Sequence, residues 1–168
     1  LFEITHALHA TLDLRKTLYD VLEIMSERLG MNRGSITLLT PETSEIHIVV
    51  AHGTPSGASR GRYKLGEGVT GRVVESGRPM AIPHLDEEPL FLDRTRARSR
   101  LDKSKISFIC VPIKEGKRVL GALSVDRVFD GASALDDDVQ LLTIISGLIA
   151  QKMSLLERIN REKEQLGK

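Results

Sequence analysis

A single cysteine, Cys110, occurs among the 168 residues, which excludes an internal disulfide and makes a reducing compartment the simpler setting. It lies inside the apolar run Ile109 to Ile113, where a thiol behaves as a small core hydrophobe rather than a nucleophile. Charge of one sign is lacking too. Lysines and arginines number 24 against 23 acids, a net charge of +1, so nothing global points to nucleic acid or an anionic membrane as partner. No uninterrupted apolar run reaches the length of a membrane span, and the N-terminus lacks the charged start and cleavage site of a signal peptide. Catalysis finds no foothold: G-x-S-x-G, H-E-x-x-H and paired-carboxylate motifs are absent. The histidines His6, His9, His47, His52 and His84 are scattered, without cysteine or carboxylate partners at metal-ligand spacing. These absences predict a cytoplasmic chain with no catalytic residues and no metal, and the start at Leu1, in mid-helix, predicts a fragment of a longer protein.

What is present suits one domain: 40% hydrophobic residues can bury a single core. Leu1, Ile4 and Leu8 share a helical face, and Leu14, Leu18, Val21, Leu22, Met25 and Leu29 repeat that spacing until Gly30, so two helices open the chain over 1–30. Ser35 to Thr40 and Ile46 to Ala51, rich in β-branched residues around a Pro-Glu-Thr-Ser turn, predict antiparallel strands. A Gly/Ser/Pro-rich loop, a short helix over Val69 to Ser76 and a brief strand at Met80 to Ile82 follow. The connection from Pro83 to about Lys105 is too long for a tight turn. Ile106 to Ile113 and Arg118 to Asp126 read as a hairpin and complete the segment 31–134. A long helix over 135–168 is predicted from a capping box at Ser133 and Asp136 and from an apolar seam, Leu142, Ile145, Ile149, Leu156, Ile159 and Leu166, with Lys152 and Lys163 in the same frame.

Gly66 to Gly77 satisfies G-x-G-x-x-G, and with Val73 the kinase form G-x-G-x-x-G-x-V. Context opposes both. No buried strand precedes the glycines, the following helix ends at Gly77 and Pro79, and the kinase lysine, catalytic-loop and magnesium motifs are missing.

Leu65-Gly-Glu-Gly-Val-Thr-Gly, Val111-Pro-Ile and Leu120-Gly-Ala-Leu-Ser-Val, in this order of elements, resemble the GAF domain. Glu88-Pro-Leu-Phe-Leu-Asp, Ile106-Ser-Phe-Ile-Cys-Val-Pro-Ile, Leu123-Ser-Val-Asp-Arg and Asp138-Val-Gln-Leu-Leu-Thr-Ile-Ile resemble, more narrowly, the N-terminal GAF domains of NifA-type nitrogen-fixation activators. The resemblance implies an α+β fold, with a central antiparallel sheet carrying helices on one face and a ligand-pocket layer on the other. It also implies a regulatory domain of an activator of sigma-54 RNA polymerase, controlling a downstream ATPase of the same protein. The effector it suggests is 2-oxoglutarate, and the partner a nitrogen-signalling regulatory protein. The N-K-x-F-x-D-E signature of cyclic-nucleotide-binding GAF domains is absent, and one cysteine cannot build the multi-cysteine site of GAF-type methionine sulfoxide reductases.

Two readings of the Gly-rich turn stand. Gly68 and Gly71 permit a tight turn into a packed helix, or the helix start, with Thr70 and Arg72, holds a carboxylate. Arg94 and Arg96, beside the apolar anchor containing Phe91, are the favoured cations of the long basic connection, which can equally be a solvated loop. The pocket implied by the resemblance adds Phe108, Cys110 and Ser124 as candidates. For the closing helix we expect a parallel homodimer through Leu142, Ile145, Ile149, Leu156 and Ile159, joined by Leu1, Ile4 and Leu8, unless the seam is a tail whose partner lies elsewhere. The competing functions are a ligand-free dimerisation and docking domain, and a GAF-derived catalyst, which would need a nucleophile paired with a base.

Overall fold

The computed structural model describes residues 1–53, 62–89 and 102–167. Two helices, α1 (Phe2–His9) and α2 (Leu14–Leu29), lead into strands β1 (Asn32–Thr40), β2 (Glu45–Ala51) and β3 (Arg62–Lys64). Helix α3 (Gly68–Ser76), the short strand β4 (Met80–Ile82), the hairpin β5 (Ile106–Glu115) and β6 (Arg118–Val128), and α4 (Ala132–Leu166) complete the fold. Local chemistry sets the boundaries of α2: the Asp13 side chain accepts from the Lys16 amide at 3.2 Å, and Gly30 closes the helix in the left-handed conformation.

The strands form one antiparallel sheet in the order β3-β2-β1-β6-β5-β4. The first and last strands thus meet at its centre, where β1 lies against β6. That approach needs Gly121, because a Cβ there would run into the Thr37 carbonyl of β1.

Alternation along β5 divides the interior in two. Ile109, Val111 and Ile113 face a helix-side core with Leu18, Leu22 and Met25 of α2 and Leu142, Ile145 and Ile149 of α4. Ile106, Phe108 and Cys110 face the opposite side, where they pack with Val69, Val73 and Val74 of α3. A register irregularity between Ile36 and Thr37 lets β2 serve both, Val50 on the helix side and Ile46 on the α3 side.

Two expectations for the closing helix are corrected. It begins at Ala132, with Gly131 at the cap and no side-chain capping bond, so Ser133 is already helical and no capping box forms. Asp138 instead pairs with Arg127 of β6 at 2.8 Å; burial raises its carboxyl pKa above the ordinary range and the Arg127 charge opposes that rise. The seam is likewise spent at home. Leu142, Ile145 and Ile149 of α4, with Ile4 and Leu8 of α1, are buried in the domain's own core and cannot meet a second chain while it is folded. An 18-residue window of α4 has mean hydropathy 1.5, apolar and long enough by composition to cross a bilayer, and 33% of that window is buried in the domain. Leu1 is exposed, and Leu156 and Ile159 are half-buried.

Candidate functional site

The α3 side of the sheet carries a buried polar row. On β6, Ala122, Ser124 and Asp126 alternate with the helix-side Leu123 and Val125. Ser35 of β1 stands opposite Ser124, and their hydroxyls share a hydrogen bond of 2.7 Å. Thr37 donates its hydroxyl to the Ala122 carbonyl at 3.4 Å. Asp126 has a completely buried side chain and accepts from Arg33 Nε at 2.6 Å, while the Arg33 side chain keeps 21% exposure.

Strand β5 borders this row, with Cys110 opposite Ser124 and Phe108 opposite Asp126. Burial pushes the Cys110 thiol up to about 12, against a smaller opposite effect of its hydrogen bond with Thr70 of α3. Such a thiol has no thiolate to offer near neutral pH, so Cys110 lines the face as an apolar group.

The Gly-rich turn closes on itself. The Gly66 amide donates to Gly71 O, the Glu67 amide to Lys64 O and the Gly71 amide to Glu67 O, each at 2.9 Å. A Cβ on Gly71 would sit 2.6 Å from Lys64 O, so the turn can pack this tightly only with glycine there. The amides of Gly66, Glu67 and Gly71 are therefore engaged within the turn and the first bond of α3.

Of the residues singled out from sequence, Thr70, Phe108, Cys110 and Ser124 come together on this face, and Gly68 and Gly71 shape the turn that presents Thr70. Arg72 does not join them. It stands on the exposed side of α3, opposite the buried Val69 and Val73. Phe91, Arg94 and Arg96 lie outside the described residues. Sequence reasoning missed Arg33, Ser35, Thr37 and Asp126. Their signal was the period-two placement of small polar residues in both central strands, but joining those strands requires pairing positions 89 apart, as in Ser35 with Ser124. Among the described residues no group of three or more His, Cys, Asp or Glu side chains is placed to hold a metal ion.

An antiparallel sheet with a helical layer on one face and a Gly-turn helix over a polar row on the other defines a class. The GAF domain model matches residues 13–153, and the chain belongs to that family. Along 97% of its length it is 36% identical to the Nif-specific regulatory protein of Azospirillum brasilense, and along 98% it is 39% identical to the nitrogen fixation protein AnfA of Azotobacter vinelandii. The chain spans 26% and 32% of those two relatives. A GAF domain of A. aeolicus, solved in an inactive state, superposes with a TM-score of 0.84 at 27% identity, covering 92% of this chain and 93% of that one.

Proposed function

We propose that this chain is the non-catalytic, cytoplasmic sensor domain of a NifA-like transcriptional activator, controlling a downstream sigma-54-activating ATPase of the same protein. Its effector is a small metabolite, 2-oxoglutarate, and a nitrogen-signalling regulatory protein is its further partner. The observation that carries this reading is the buried polar row beneath α3. Hydroxyls and a carboxylate removed from water contribute little net stability even when bonded, so their concentration on one face suits recognition better than folding. An effector acts only by binding one arrangement of the domain better than another.

A specific observation favours a second reading. Ser35 with Ser124, and Thr37 with the Ala122 carbonyl, satisfy one another across β1 and β6, as expected of a ligand-free docking and dimerisation domain.

In both readings the domain is a homodimer, through a different stripe of α4 from the buried seam. Ile144 and Leu155 are 52% and 38% exposed on α4, while Leu141 and Leu148, at the same helical spacing, are partly buried and pack against the helix-side core.

Isothermal titration with 2-oxoglutarate, with succinate and cyclic GMP as controls, tests the assignment. Selective saturable binding, weakened severalfold in Ser124→Ala, is the expected result. A folded dimer that takes up no heat from 2-oxoglutarate would transfer the function to protein docking.

A further inference from the structure

Arg33 stands where the backbone would be cheaper as glycine. Its φ is +48°, a left-handed value that costs an L residue about 1–2 kcal/mol, and it lies inside the register irregularity between Asn32 and Ser35 where β1 joins β6. Strain of this kind persists where the side chain is needed in place. The need here is not burial of an arginine, since Arg33 is partly exposed while its partner Asp126 is wholly buried.

Asp126 occupies only the Nε of the guanidinium, at 2.6 Å. The two terminal nitrogens make no hydrogen bond or ion pair with any described residue. A planar cation is thus fixed by one edge and offers its end, and that end is the geometry that grips a carboxylate with two parallel hydrogen bonds. Ser124 lies two residues along β6 from Asp126 on the same face, roughly 7 Å away by strand geometry, with Ser35 bonded to it. A short acid anchored on Arg33 would reach hydroxyls with its far end.

We propose that Arg33 is the residue that binds the carboxylate of a short-chain acid effector, with Asp126 as the positioning residue that holds the guanidinium by Nε. The inference rests on the sensor reading above and adds to it the residue that binds the acid and the residue that positions it.

The test is isothermal titration of the 168-residue chain with 2-oxoglutarate, and with succinamide as a neutral probe. Two variants are compared with wild type: Arg33→Lys, which keeps the charge and loses the fork, and Arg33→Gln combined with Asp126→Asn, which removes both charges without stranding a buried carboxylate. Expected are binding of the acid but not the diamide by wild type, at least a tenfold loss in Arg33→Lys, and no detectable binding in the double variant, with far-UV circular dichroism unchanged. If the double variant does not fold, Arg33→Lys decides. Wild-type affinity in a folded variant would overturn the role of Arg33 and leave the sensor reading standing, whereas no binding by wild type would overturn both.

Discussion

The two faces of the central sheet are made from alternate residues of the same strands, yet they solve different problems. The helix side meets α2 and α4 with aliphatic groups, Ile109, Val111, Leu123 and Val125 among them, all fully buried. The α3 side buries Ser35, Thr37, Thr70, Ser124 and Asp126 among its apolar neighbours. A fully buried Leu or Ile side chain is worth roughly 1.5–3 kcal/mol, whereas a satisfied hydroxyl nets about 1 kcal/mol. The helix side therefore carries the larger share of the stability, and the α3 side combines its smaller apolar cluster, Val69, Val73, Ile82 and Phe108 among it, with buried polar groups that add little.

Truncating one residue on each face separates their contributions to stability. Ile145→Ala, at a fully buried position of α4, should cost about 3–4 kcal/mol in urea unfolding, as large-to-small core changes do. Ser124→Ala, which removes one partner of the Ser35 bond, should cost about 1 kcal/mol. Equal losses would mean that the polar row is a structural core like its counterpart.

The Cys110 thiol reports how tightly the α3 side is closed. With Cys110 pushed up to about 12 by burial, its thiolate fraction at pH 8 is negligible, and the thiolate is the reacting form. A thiol-disulfide reagent at pH 8 should label native protein only at the rate of unfolding, and label denatured protein at once. The folded pKa lies above the reference 9.0, so the fold favours the protonated thiol; this contribution is fully present below about pH 9 and is lost as pH rises toward about 12. Rapid labelling of the native chain at pH 8 would show that α3 opens from the sheet.

The difference between the faces also explains what could be read from sequence. Strands, hairpin and helices announced themselves through β-branched runs, turn residues and Gly30, because those signals are local. The helix-side core was visible as the spacing of Leu18, Val21, Leu22 and Met25. The polar row was half visible. Thr70 and Ser124 stood in recognisable motifs, but Arg33 and Asp126, 93 positions apart, acquire meaning only once β1 and β6 are paired at the centre of the sheet. Arg72 illustrates the opposite error, since proximity in sequence to the Gly-rich turn said nothing about which side of α3 it would take. The capping box failed for a related reason: the match at Ser133 and Asp136 was local, while Asp138 is committed to Arg127 on β6.

Helix α4 carries two apolar seams that interleave so closely that spacing alone cannot rank them. Leu142, Ile145 and Ile149 follow steps of three and four, and so do Leu141, Ile144 and Leu148. Packing decides, and it turns the first set inward and leaves Ile144 and Leu155 outward. Near the end of the sheet α4 is still tied to the β5-β6 hairpin, with the Ser154 hydroxyl donating to Glu115 at 2.5 Å and Arg118 pairing with Glu157 at 3.8 Å. The outer stripe is thus presented from a supported helix rather than a frayed one. Ile144→Glu combined with Leu155→Glu should leave the unfolding free energy within about 0.5 kcal/mol per site of wild type, as exposed substitutions do. In sedimentation velocity it should convert a dimer to a monomer at the same concentration. A variant that stays dimeric would move the interface beyond the sheet to Leu156, Ile159 and Leu166. A variant that unfolds would mean that the outer stripe belongs to the core, and that both seams serve the helix-side face.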